Sequence, residues 1–446
     1  MLRHRNWIAA GAIVVAGLAA ALVVYAARGG SDAGATEIPQ ASAARLTAAG
    51  LDGLPLAPTT RRVDVAVPSF SNPTEVTNPL FPISDLRSAV LAGQVDGKPF
   101  KVETTLLPHT RIVQWPDGRR LETLVSQYVA YSDGRIKEVA LDFYAQADDG
   151  SVWYLGEDVF NYEDGAIADT EGTWIAGQDG PGAMIMPADP KVGDAYRPEN
   201  VPGLVFEEVR VKAVDRKVAG PRGAVEGAIV AGELHQDGAR EDKIFAPGYG
   251  EFLTGSDGDV EALALAVPTD SLVSRPRELE TLASGADAIF EGSADAHARV
   301  RRMAADWRRL EDDAPPRLVP AMRRGLDRLA QAVEAGQDSA VRQAAVEVAQ
   351  ATLDLELRHR PSAEVDRGRF RLWARQLMVD AKTGDSAAVR GDLAVLEWIR
   401  DRFVHTLGPV DVTRIDARLL VLRDLLNEED LPGAARAASR LQRAVS

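Results

Sequence analysis

Nine Asp-Gly dipeptides punctuate the first 258 residues of this 446-residue chain, and none follows Gly258. Five of them, at Asp117, Asp133, Asp149, Asp164 and Asp179, are spaced 16, 16, 15 and 15 residues apart; the others are at Asp52, Asp96, Asp237 and Asp257. Asp-Gly tolerates the positive φ that a two-residue hairpin turn demands. A ruler of such turns with apolar and aromatic segments between them predicts an antiparallel meander. Its abrupt end predicts a different architecture beyond.

The length allows two or three domains. Cysteine is absent, which excludes disulfides, thiolate metal sites, cysteine nucleophiles and a lipid-modified N-terminal cysteine. The net charge of −15 lies entirely in residues 61–275, which hold 35 acids and 20 bases. A region so acidic repels nucleic acid and anionic lipid and attracts cations.

Ile8 to Ala27 is an uncharged apolar run preceded by Arg3 and Arg5. As a helix it would span about 30 Å, the thickness of a bilayer core, with its start held in the cytoplasm. Residues 1–28 are therefore expected to be a transmembrane signal anchor, with a cleaved signal peptide as the alternative. The expected location is the cell membrane, crossed once at residues 8–27, with the bulk extracytoplasmic. Residues 29–68, rich in Gly, Ala, Ser, Thr and Pro, are expected to be a flexible linker.

Residues 69–272 are expected to form an acidic β-rich domain. Asn72-Pro73, Asn78-Pro79 and Phe81-Pro82 mark an extended lead-in. About ten strand candidates follow between 87 and 267. In 135–145, Val139, Leu141 and Phe143 alternate with Glu138 and Asp142, as in a half-buried strand. So many consecutive strands tend to curl and remove exposed edges. The fold class expected is α+β: an antiparallel meander barrel or curved sheet, followed by an all-α bundle.

Four segments carry a resemblance: Tyr144–Asp158 (YAQADDGSVWYLGED), Gly177–Asp194 (GQDGPGAMIMPADPKVGD), Asn78–Pro82 (NPLFP) and Phe245–Gly250 (FAPGYG). Across about 78–250 the chain resembles exported, actinobacterial-like bacterial proteins of unassigned function. The resemblance implies an extracytoplasmic β-domain and transfers no catalytic residue.

From Glu138 to Asp189 there are twelve acids and no Lys or Arg, with Trp153, Tyr154, Phe160, Tyr162 and Trp174 interleaved. Carboxylates without cationic neighbours repel one another, and a bound Ca²⁺ would offset this. Asp142, Asp149, Glu157 and Asp158 are the candidate ligands; the bland alternative is a solvated acidic face. Met184 and Met186 share a strand face and read as core rather than a thioether metal site.

Residues 276–446 turn rich in Ala, Leu, Arg and Glu, and the expected domain there is a helical bundle. Glu334–Arg342 (EAGQDSAVR) matches Lys382–Arg390 (KTGDSAAVR), and Asn427–Arg436 is a weaker third copy. Each reads as a helix end, a polar cap and a new helix, which makes an αα-hairpin used about three times. His359 and His405 fall near matched helix ends, where a metal site or simple complementation of the helix dipole would use them.

No Gly-x-Ser-x-Gly, His-Glu-x-x-His, P-loop or Gly-x-Gly-x-x-Gly is present. The expected function is thus a membrane-anchored, non-enzymatic binding or scaffolding protein of the cell envelope, taking a small molecule or an envelope ligand. A Ca²⁺-binding envelope protein is the alternative, followed by a carbohydrate-active hydrolase.

Overall fold

The computed structural model describes residues 37–445 except 116 and 257. The expected anchor at 8–27 lies outside them. Among the described residues no helix is long and apolar enough to cross a membrane.

Two antiparallel meanders make one fourteen-stranded sheet. The first comprises β1 (Ser88–Val95), β2 (Lys98–Gln114), β3 (Arg120–Ser132), β4 (Arg135–Gln146), β5 (Val152–Glu163) and β6 (Ala166–Asp169). Two short strands, β7 (Trp174–Ile175) and β8 (Ala183–Met186), pair back onto β5. The second meander comprises β9 (Ala195–Val201), β10 (Val205–Gly220), β11 (Gly223–His235), β12 (Arg240–Ala246), β13 (Gly250–Ser256) and β14 (Asp259–Val267). Pairing of β1 with β14 joins the two. The sheet curls but stays open, because no backbone ladder links β5 to β9.

The Asp-Gly pairs build these hairpins in two ways. At Asp96-Gly97, Asp133-Gly134 and Asp164-Gly165 both residues have positive φ, as a two-residue mirror-image turn needs. At Asp117, Asp149 and Asp237 the carboxylate instead accepts the backbone N–H two residues on, from Arg119, Ser151 and Ala239. Asp179-Gly180 departs from the ruler. Asp179 accepts from Ile175 N, and a Cβ on Gly180 would stand 2.6 Å from Val201 Cγ2. The chain there needs close approach to β9, not a hairpin of long strands. The Phe245–Gly250 motif is the turn between β12 and β13.

Residues 37–68 are not a free linker. They carry α1 (Ala43–Ala48) and run along the exposed edge of the sheet. Arg62 bridges Ala195 of β9 in parallel, Val63 N donates to Ala195 O, and Ala57 N donates to Glu208. Leu51, Ile38 and Ala57 are buried. The strap covers the edge β9 would otherwise present to other chains. Outside α1 it has no helix or strand period, because it is pinned at isolated backbone and side-chain points.

The helices are α2 (Arg277–Phe290), α3 (Ala296–Leu310), α4 (Val319–Ala335), α5 (Asp338–Glu356), α6 (Ser362–Thr383), α7 (Ser386–Phe403), α8 (Pro409–Asn427) and α9 (Leu431–Ala444). The repeat gives the hairpins α4–α5, α6–α7 and α8–α9. Left-handed Gly336 and Gly384 end α4 and α6, and the Asp385 and Asp430 side chains cap α7 and α9.

This layer packs on the outer face of the sheet. Val90 and Leu265 join the core of α2–α5, while Val129, Val139 and Tyr162 join that of α6–α9. A buried ionic cluster adds to the contact. Glu103 of β2 meets Arg402 of α7 at 2.6 Å and Arg369 of α6 at 3.3 Å, and Arg369 reaches Asp354 of α5 at 2.7 Å. With helices outside, the opposite face of the strands they cover looks into the hollow of the curl.

Candidate functional site, an acid-lined lumen

Residue alternation decides what fills that hollow. On β4, Val139 goes to the helices, so Glu138, Asp142 and Tyr144 turn inward. Asp142 stands opposite Glu157 of β5 and accepts a hydrogen bond from Tyr154 at 2.8 Å. Across the seam, Glu199 of β9 stands opposite Glu207 of β10, and Glu207 opposite His235 of β11. Glu233 of β11 stands opposite Glu241 of β12. Lys243 of β12 and Glu261 of β14 both stand opposite Thr254 of β13. Glu251, half-buried on β13, also lines the space.

Eight of these nine carboxyl groups are buried, and Lys243 is the buried ammonium among them. Asp142, Glu199, Glu207, Glu233, Glu251 and Lys243 line a cavity of about 140 Å³, whose apolar wall includes Phe81, Tyr144 and Phe245. That space suits several waters or a small cation with part of its hydration shell.

Burial penalises the charged form of each acid, and neighbouring carboxylates add to the penalty. Glu138 is pushed up to about 8 by burial and then by Asp142. Asp142 is pushed up to about 7 by burial, against the Tyr154 hydrogen bond. Glu157, Glu199, Glu233 and Glu261 are raised well above the carboxylate range, burial first and a neighbouring glutamate second. Glu241 differs: burial opposes its ionisation, but His235 and Lys243 outweigh it and hold the group low. Burial also works against a charged Lys243, yet Glu233, Glu251, Glu207 and Glu241 raise it well above its ordinary range. The lumen therefore has far more acceptor capacity than its own donors use. Glu157 Oε1 and Glu207 Oε1 have no hydrogen-bond partner, a costly state for buried polar atoms.

The four acids of the expected Ca²⁺ site do not converge. Asp142 and Glu157 face the lumen together. Asp149 serves the β4–β5 turn, accepting from the backbone and hydroxyl of Ser151. Asp158 faces the other way, 2.5 Å from Arg111, whose guanidinium lies over the Phe143 ring. The solvated-face expectation fails at Glu138, Asp142 and Glu157, which are buried. Met184 and Met186 are core. His359 lies half-buried beside Arg358 at the end of α5, where burial and that arginine lower its pKa. His405 is exposed in a turn after α7. Among the described residues, Glu233, His235 and Glu241 are the group of three or more that could close on one ion, and it includes neither histidine.

Sequence reasoning missed Glu199, Glu207, Glu233, His235, Glu241, Lys243 and Glu261. A usable signal was there: Glu233-x-His235 and Glu241-x-Lys243 repeat charge at period two on adjacent strands. No family model matches the chain, and a search of curated proteins finds no match.

Proposed function

We propose that this is a non-enzymatic binding protein of the cell envelope that takes a cation into its lumen. The observation that carries the reading is the ring of nine inward carboxyl groups, eight of them buried, of which Asp142, Glu199, Glu207, Glu233 and Glu251 line one small cavity together with the buried ammonium of Lys243. Such a ring is poorly stable as anions and wastes acceptors when protonated; a bound cation relieves both costs. Placement outside the cytoplasm, anchored at residues 8–27, rests on the apolar run, Arg3 and Arg5, and the resemblance to exported proteins.

Two features favour this over a carbohydrate hydrolase. Glycosidases hold their two carboxyls about 5–10 Å apart around the bond they cut. Here Glu157 and Glu199 are both raised by burial rather than split into a raised acid and an ionised partner, and the cavity is small, about 140 Å³.

The test is titration calorimetry of the chelator-treated full chain with Ca²⁺, Mn²⁺, Zn²⁺ and putrescine. Saturable binding of at least one, weakened by Glu157→Gln with Glu199→Gln, supports the reading; no binding of any defeats it. Protease added to spheroplasts should degrade the 37–446 region, and full protection would defeat the topology.

A further inference from the structure

Within the lumen, three side chains differ from the rest because one is a histidine. Glu233 and Glu241 are a directly opposed pair on β11 and β12, and His235 lies two residues along β11 on the same face. One ligand atom from each lies within 4.8 Å of the others. All three residues are at least 95% buried. His235 Nε2, Glu241 Oε1 and Glu233 Oε2 make no hydrogen bond. Their nearest charged partners are each other, at 3.4 Å for His235–Glu241, and the Lys243 ammonium, 3.0 Å from Glu233 Oε2. Beside them Glu207 Oε1, opposite His235 on β10, is also unpartnered.

We propose that Glu233, His235 and Glu241 form a site for a first-row transition-metal dication, with Lys243 as the charge the metal displaces. The proposal rests on the cation-binding reading of the lumen and names its ligand class.

The donor set argues the class. Imidazole nitrogen with carboxylate oxygen suits Zn²⁺, Mn²⁺, Fe²⁺ or Co²⁺, whereas Ca²⁺ and Mg²⁺ take oxygen donors. Charge argues it too. A dication neutralises Glu233 and Glu241 together, while the single ammonium of Lys243 offsets only one. Lys243 has somewhere to go, since Glu251 on β13 is among the carboxylates around it. Backbone geometry holds the site: paired strands fix both glutamates, so the ion needs no loop closure.

The experiment uses the full chain in detergent, stripped with chelator and titrated with Co²⁺, whose visible absorption reports nitrogen and oxygen ligation. One Co²⁺ per chain is expected, displaced by Zn²⁺ and not by Ca²⁺ at equal concentration. His235→Gln and Glu241→Gln should each weaken binding by about tenfold or more. Lys243→Met should strengthen it by about tenfold, because a like charge leaves a low-dielectric site. X-ray absorption of the Co²⁺-loaded wild-type protein should show one imidazole among oxygen donors, a readout independent of how the variants fold. A spectrum without imidazole, unaltered binding in His235→Gln and Glu241→Gln, or equal displacement by Ca²⁺ overturns the site. If those variants bind unchanged while Glu157→Gln with Glu199→Gln weakens binding, this site fails and the lumen reading stands. If no cation binds at all, both fail.

Discussion

Across the seam where no backbone ladder joins β5 to β9, the carboxyl of Glu199 on β9 is the charge that, after burial, most raises the carboxyl of Glu157 on β5. Buried acids that repel one another in this way are relieved by taking up a proton or a cation. The interaction across the seam thus depends on the protons and cations that the lumen holds.

That interaction sets a pH dependence. Glu157, Glu199, Glu138 and Asp142 all have folded-state pKa values above their unfolded ones, with Glu138 at about 8 and Asp142 at about 7. Between the ordinary carboxylate range and pH 8 the folded chain binds more protons than the unfolded chain. Stability therefore falls as pH rises across that window, by a total on the order of several kcal/mol. Urea midpoints in chelator at pH 5 and pH 8.5 should differ in that direction. Glu157→Gln should flatten the difference and stabilise the protein at the higher pH. Equal midpoints for the wild-type protein would show that the lumen acids are ionised and paid for by other contacts.

The ionic cluster between sheet and helices makes the two layers depend on each other. Burial opposes the charge on Glu103, but Arg369, Lys101 and Arg402 hold its carboxyl far below the ordinary range. Glu103→Ala would leave Arg369 and Arg402 buried without this partner, and should cost about 3–5 kcal/mol in urea denaturation. Arg369 also meets Asp366 at 3.1 Å and Arg402 donates to Gln127 at 2.5 Å, so a loss under about 1 kcal/mol would mean that Asp354, Asp366 and Gln127 suffice for both arginines.

The strap predicts a third outcome. Leu51 of the strap is fully buried, so Leu51→Ala should cost about 2–5 kcal/mol. Loss of the strap should also raise concentration-dependent association, measured by sedimentation, because β9 becomes an open edge. A monomer as stable as wild type would show that the strap merely rests on the sheet.

Two acids on adjacent strands, Asp158 of β5 and Asp142 of β4, should behave oppositely. Asp158→Asn removes a partly exposed pair with Arg111 on the outer face, and cation binding should not change. Asp142→Asn removes a lumen acceptor and should weaken it measurably by calorimetry. The reverse result would place the site outside the sheet.

Much of the fold was legible locally. Asp133-Gly134 specifies a turn through the φ its residues tolerate, whatever surrounds it, and the Gly384-Asp385 step ends one helix and caps the next by the same local logic. The site was less legible. Glu233, His235 and Glu241 sit on two strands without a recognised metal-binding spacing, and one sequence does not record which residues face each other across a ladder. Asp149 and Asp158 looked like partners of Glu157 because they are near it in sequence. A turn and a one-residue change of face send both elsewhere.

The sequence alone determined that a hairpin meander precedes helical hairpins, and that β4 has one apolar and one acidic face. It did so because turn φ values, helix caps and side-chain periods are properties of a few adjacent residues. Only the tertiary structure decided which face is inside. Period-two alternation makes the two faces of a strand different but assigns neither to solvent. The helices claim the apolar face of β4 through Val139, the curl of the sheet encloses the other, and the acids that read as a surface become the lining of the lumen.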